Sequence, residues 1–315
     1  MSSEHMHVVA LGGGHGLAAS LSALRRITDR LTAVVTVADN GGSSGRLRSE
    51  FGVLPPGDLR MALAALCGDD EWGQTWARVL QHRFAGEGPL RGHAVGNLLI
   101  VALWELAGQV HALDLVAELL GAHGRVLPMS MAPLDITATV RGADPAEPDA
   151  TSTVRGQVQV ASTTGHVTAV RLDPPDPPAC PETIAAVESA DWVVLGPGSW
   201  FTSVIPHLLV PDLRDALLGT RARRLVTLNL EPQAGETDGL SPQAHLEVLA
   251  RHAPGLRVDV VLADCRSVVD EAATRAAAES LDAELVVTEV AMADGSARHD
   301  PSKLSRAYAQ TMRPA

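Results

Sequence analysis

Three short strings hold the residue types from which an anion site is built. Gly12-Gly13-Gly14-His15-Gly16 follows the apolar run Val8 to Leu11. Glycines let a backbone approach a phosphate closely and aim N–H groups from a helix start. Asp39-Asn40-Gly41-Gly42-Ser43-Ser44-Gly45 follows a second apolar run, Leu31 to Val37. It gathers a carboxylate, an amide, two hydroxyls and accessible N–H groups, which suits an anion flanked by sugar hydroxyls, as in a nucleotide diphosphate. Asp39 can take ribose or sugar hydroxyls, hold Mg²⁺, or stand in a turn whose Asp and Asn tolerate left-handed geometry. Gly196-Pro197-Gly198-Ser199 follows Trp192 to Leu195 and repeats the logic of the first string. Two glycine loops on parallel strand ends can face one crevice and share one ligand.

Neither familiar phosphate pattern is met: GxGxxG needs glycine where Leu17 stands, and a P-loop needs a terminal Gly-Lys-Ser/Thr. Other polar residues join as candidates. His93 and Asn97 lie four apart, on one face of a predicted helix near its start. Taken alone, His93 reads as a satisfied structural group. Asn229 closes a predicted strand and opens a polar loop that holds Glu231 and Glu236. Arg60, in Pro55-Pro56-Gly57-Asp58-Leu59-Arg60, is a candidate phosphate partner, and Asp58 a candidate N-cap. Arg298 heads Arg298-His299-Asp300. His245 and His252 lack a third ligand at a known spacing and read as structural. Trp200 and Phe201 read as core.

The elements that must position these residues follow from periodicity. Strand Val8 to Leu11, helix Leu17 to Ile27 and strand Leu31 to Val37 make a βαβ unit, which implies a parallel sheet with right-handed crossovers. Asp58 to Leu66, Trp72 to Arg83, His93 to Ala107 and Leu113 to Leu120 carry helical apolar spacing. Thr137 to Val140, Gln157 to Val160 and Val167 to Val170 alternate and predict antiparallel strands in a β-rich insertion near 125–172. Asp173 to Pro181 predicts an extended linker. Trp192 to Leu195, Leu225 to Leu230, Val258 to Leu262 and Leu285 to Val290 predict further strands with helices between and after them. The expected fold is α/β, Rossmann-like, a mainly parallel sheet with helices on both faces, in a single domain over 1–315.

The 315 residues are 46% hydrophobic, enough for a large core. A formal charge of −12 repels nucleic acid and anionic membrane. Cys67, Cys180 and Cys265 form no CxxC, which fits a reduced, cytoplasmic setting. Aromatics are few, so a base-stacking platform is not expected.

Taken in order, these strings resemble the YvcK-type gluconeogenesis factors within the CofD-like group. The resemblance rests on 12–17, Val35 to Arg48, Pro55 to Arg60, Gly92-His93 with Gly96-Asn97-Leu98, Leu195 to Ser199, Gly235-Glu236-Thr237 and Arg298-His299-Asp300. It implies a Rossmann-like fold binding a nucleotide sugar, UDP-N-acetylglucosamine or UDP-glucose. It also implies a cytoplasmic regulator that links carbon metabolism to cell-wall synthesis and cell shape, homo-oligomeric and with a protein partner, needing no cofactor. The glycine loops 12–16 and 196–199 would take the diphosphate, Asp39 and Asn40 the sugar or ribose, and Arg298 would supply charge. The CofD branch resembles a 2-phospho-L-lactate transferase using a guanylylated phospholactate and Mg²⁺. On that alternative Asp39 is the catalytic and metal residue. This chain departs from the family in His15 for Thr, Asn40 for the second Asp of a pair, and Gly156-Gln157 for Gly-Glu.

Overall fold

The computed structural model describes residues 5–144, 146–233, 236–237 and 239–312. Seven strands form one sheet: β1 (His7–Gly12), β2 (Arg30–Val35), β3 (Arg125–Pro128), β7 (Trp192–Leu195), β8 (Arg223–Thr227), β9 (Val260–Asp264) and β10 (Glu284–Thr288). Their order is β10-β9-β8-β7-β1-β2-β3, and every pairing is parallel. A separate antiparallel sheet runs β5-β4-β6, from β4 (Asp135–Arg141), β5 (Thr151–Arg155) and β6 (His166–Asp173). All six residues of β1 are buried. Neighbouring side chains on a strand point to opposite faces, so both faces of the large sheet are covered there. Burial in β4 alternates, which leaves one side of the small sheet wet.

The chain moves outward from β1 through β2 and β3. It then returns to the other flank of β1 with β7 and moves outward again to β10. Val8 thus pairs with Leu31 on one side and Trp192 on the other. This reversal is a topological switch point, outside whose carboxyl strand ends α/β sheets bind ligands. Helix α1 (Gly14–Leu24) leaves β1 there. Ser20 on α1 donates to the Gly196 carbonyl at 3.0 Å and meets the Tyr308 hydroxyl at 2.7 Å. That hydroxyl also reaches Thr227 at 2.9 Å, so the helix Pro301–Thr311 ties α1 to β8.

Four expectations are corrected. Gln157–Ala161 is a short helix, not a strand. Gly156, at φ 102°, starts its turn and accepts the Val160 N–H. Four alternating residues are too few to separate a strand from one helical turn. The insertion begins at β4, because Arg125–Pro128 extends the large sheet beside β2. Gly42–Phe51 forms helix α2, where glycines and serines had concealed helical character. A β-carbon at Gly45 would strike the Asn40 carbonyl, so a residue that reads as a helix breaker serves close packing. His93 precedes its helix, which spans Val95–Ala107. Among the described residues, no helix is long and apolar enough to cross a membrane.

Candidate functional site

The β1 and β7 loops meet at the switch point. A β-carbon on Gly16 would run into the Pro197 carbonyl and Gly198 Cα, so only glycine permits this approach. Asn229, two residues past β8, braces the joint from the next loop. It accepts the Gly198 N–H at 2.9 Å and donates to the Gly198 carbonyl at 2.8 Å. Helix α1 has no side-chain cap. Its first N–H groups have no intrahelical partner, and the Asp58 carboxylate lies close to Gly14. The start of α1 carries His15 and Gly16 to a cleft of about 370 Å³, which Pro197, Gly198, Asn229 and Arg298 also line. Arg298 pairs with Asp294 at 3.1 Å on an exposed surface. Such pairs hold weakly, so the guanidinium can turn to a ligand. His299 lines the cleft too, and burial pushes its imidazole down to about 4, hence neutral.

A second group of candidates lies in the interior. Ser43, in the first turn of α2, sits at the centre of a buried network. Its hydroxyl meets His93 Nδ1 at 3.0 Å and accepts from Asn97 Nδ2 at 3.0 Å. Asn97 in turn accepts from Arg60 Nε at 2.8 Å. Arg60 is 3% exposed, and its Nη1 has no partner among the described residues. Burial, then the Arg83 charge, pulls its guanidinium down to about 10. The arginine read from sequence as a phosphate partner is an internal strut. Its stem packs so closely on Gly96 that a β-carbon there would lie 2.8 Å from Arg60 Cγ.

Asp39 and Asp58 are half-buried beside this network, near enough for the Asp39 charge to act on Asp58. Asp39 Oδ1 accepts the Gly41 N–H at 2.8 Å. A β-carbon on Gly57 would fall 3.0 Å from its other oxygen and would strike Ser44 Oγ. Asp58 is not a helix cap: α3 (Gly57–Leu66) starts one residue earlier, after Pro56. Its carboxylate instead reaches under the first loop, where a β-carbon on Gly13 would lie 2.6 Å from Oδ2. Burial, then the neighbouring Asp39 charge, pushes Asp58 up to about 7. Among the described residues, its Oδ2 has no hydrogen-bond partner.

Ser199 does not open onto the cleft. Its hydroxyl is engaged by the Glu236 carboxylate and by Thr202. Glu236 Oε1 also accepts the Phe201 and Thr202 N–H groups at 2.7 and 2.8 Å. A protein carboxylate therefore fills the anion position at this turn, and burial raises its pKa despite those bonds.

Of the sequence candidates, His15, Gly16, Pro197, Gly198, Asn229 and Arg298 share the cleft. Asn40, Gly42 and His93 line an open groove by α2. Gly12, Gly13, Ser43, Ser44, Arg60 and Asn97 lie in the interior and Asp39 half-buried against it, with Gly14 close to Asp58 and Gly196 bonded to Ser20. Gly41 lies under Val158, where a β-carbon would sit 2.7 Å from Val158 Cγ2. Asn40 holds the 157–161 helix in place, donating to Gln159 Oε1 at 2.9 Å and accepting the Val158 N–H at 3.2 Å. Asp58, Glu236 and His299 were missed as site residues. Each stood in a quoted string, and only long-range contact reveals its role. Gly235 lies outside the described residues. Among those described, no cluster of three or more His, Cys, Asp or Glu can hold a metal ion.

A parallel sheet with a cleft fed by two glycine loops at its switch point defines a Rossmann-like α/β protein. The family described as "2-phospho-L-lactate transferase CofD" matches residues 8–298. A "Putative gluconeogenesis factor" of Mycobacterium leprae is 55% identical over 95% of this chain and 84% of its own length. A "Gluconeogenesis factor" of Listeria monocytogenes is 36% identical over 84% and 79%. A crystal structure of a UPF0052-family protein from Bacillus halodurans superposes with a TM-score of 0.84 at 31% identity, covering 96% of this chain and 98% of that one. The chain belongs to the CofD family, among its gluconeogenesis factors.

Proposed function

We propose that this protein is a cytoplasmic, nucleotide-sugar-binding regulator that links carbon metabolism to cell-wall synthesis and cell shape. The observation that carries the reading is the cleft itself. An uncapped helix start, a glycine joint and Arg298 border one space at the switch point. Helix starts and arginines are the groups that hold diphosphates. A volume of about 370 Å³ is at the small end of the range for ligand sites. The relatives' names support a regulatory role. A homo-oligomer with a protein partner belongs to this proposal through the family resemblance. Titration calorimetry with UDP-N-acetylglucosamine tests it. Micromolar binding, weakened at least tenfold in Arg298→Ala, is expected; no heat at millimolar ligand ends the reading.

A second reading, 2-phospho-L-lactate transfer, is favoured by the Asp39–Asp58 pair. Mg²⁺ is commonly held by one or two carboxylates plus substrate phosphates, and the bare Asp58 Oδ2 fits that donor set. Bound there, the ion would neutralise charge on a transferring phosphoryl group. Asp58 and Asp39 would hold it, while Ser44 and the Gly13–Gly14 backbone would shape the space around it. Release of GMP from guanylylated phospholactate with a deazaflavin acceptor tests this reading. No release, beside an active transferase control, removes it.

A further inference from the structure

Two neighbouring helices meet water differently. Helix α4 (Glu71–Gln81) turns Glu71, Gln74, Thr75, Arg78 and Gln81 outward. Helix α5 (Val95–Ala107) buries Gly96, Asn97, Ile100, Val101 and Trp104 against the core. Its opposite side carries Val95, Leu98, Leu99, Ala102, Leu103 and Leu106, which recur three or four residues apart. Ala102 is exposed, Leu106 is 82% exposed, and the other four are half-buried. A helix that is apolar on all sides belongs in an interior, so this stripe is a face without its cover. Single exposed leucines are ordinary, whereas an apolar stripe along a whole helix marks an interaction site. Leu90, in the turn before α5, and Phe51, at the end of α2, are exposed as well, and α2 packs against α5. They extend the apolar surface beyond α5, which at about 20 Å long is too small alone for the roughly 800 Å² per copy of a standard interface.

The two ends of α5 differ in charge. Glu105 is exposed in the last turn, where the helix dipole is negative and an acid is disfavoured. The start of α5 has no side-chain cap. Beside it, Arg46 donates to the Arg91 carbonyl at 2.7 Å and Arg83 to the Gly92 carbonyl at 2.8 Å. Arg46, Arg83 and Arg91 outnumber the acids of this end, Glu50 and Glu87. A second copy related by a two-fold axis presents the same stripe and lays its α5 antiparallel on the first. Each Glu105 then approaches the arginine-rich, dipole-positive end of the other helix. A parallel arrangement would set like ends together. Away from this face, the −12 charge of each copy repels the other, and it repels an anionic membrane too.

We propose that the outward face of α5 is the two-fold interface between two copies of this chain. This rests on the functional reading only in taking the protein as a homo-oligomer, and it is independent of the ligand. Sedimentation equilibrium of the full chain at micromolar concentration should return twice 33.0 kDa. Ala102→Glu and Leu106→Glu place a charge at exposed positions, and each should weaken the dimer at least tenfold with an unchanged circular dichroism spectrum. Glu105→Arg should weaken it at least threefold at low salt. Should the glutamate variants not fold, a cross-link replaces them. Cys67 and Cys180 are buried and Cys265 exposed, so the background is Cys265→Ser. There Ala102→Cys should be captured as a covalent dimer by a short bismaleimide, and Val269→Cys, exposed elsewhere, should not. A monomeric wild type, a dimer as tight in the charge variants as in the wild type, or equal cross-linking at 102 and 269 overturns the proposal. So does a monomer that pellets with phosphatidylcholine vesicles, which would make a membrane the occupant. Calorimetry of Leu106→Glu with UDP-N-acetylglucosamine reports the cleft by itself. No heat there or in the wild type, beside a dimer that the charge variants disrupt, would sink the ligand reading and leave this interface standing.

Discussion

The open cleft and the closed polar interior were built from the same kinds of residue, yet they behave oppositely. Around the cleft, polar groups are held loosely: Arg298 is paired only at the surface and the start of α1 is uncapped. In the interior, Ser43, Asn97 and Arg60 bond one another, and Asp58 is held partly against its own charge. Glycine and serine content does not distinguish a ligand site from a packed core. What distinguishes them is whether the donors already have partners within the chain.

The contrast is broken most severely at the joint between the two loops. Gly16→Val should drive a side chain into the Pro197 backbone, costing about 3 kcal/mol. Both the thermal midpoint and nucleotide-sugar binding should fall; a variant with native stability would show that the loops are not locked.

Asp58→Asn sharpens the comparison through pH. Because the folded-state value lies near 7, above the ordinary 3.8, the protonated form is the stabilised one. That stability is complete below about pH 4 and is lost as pH rises towards 7, at about 1.4 kcal/mol per pH unit. Urea titrations of the wild type at pH 5 and pH 8 should show the decline. In Asp58→Asn it should be absent, making the variant the more stable protein at pH 8. Parallel pH profiles would refute the assignment.

Ser43→Ala should cost about 1–3 kcal/mol, by leaving Asn97 and His93 without their shared partner. Denaturant midpoints measure it, and an unchanged midpoint would mean that the network contributes nothing net. Arg298→Ala has the smallest expected effect on stability, within ~0.5 kcal/mol as for an exposed residue. Its weakened ligand binding should therefore appear with an unmoved melting curve.

Much of this was legible in the chain. The apolar runs ending in glycine gave β1, β7 and their loops, because buried parallel strands are continuous in hydrophobicity. What failed was local. The helix at Gly42–Phe51 is dictated by tertiary packing of Ser43, Ser44 and Leu47, against poor propensity. Gln157–Ala161 is decided by Asn40, which lies more than a hundred residues away in the sequence. Likewise Arg60 and Ser199 have the chemistry of phosphate ligands, and no sequence pattern shows that Asn97 and Glu236 already occupy them.

The placement of β1 at the centre of the sheet has a temporal consequence. During synthesis the first glycine loop emerges early, but its partner flank, β7, pairs with it only after Trp192 has been made. The Tyr308 bond to Ser20 closes across 288 positions. Loop closures of that span are slow to form. A nascent or truncated chain therefore owns half a pocket. Were the proposed ligand bound, its occupancy would mark a finished molecule and favour newly made copies completing their assembly.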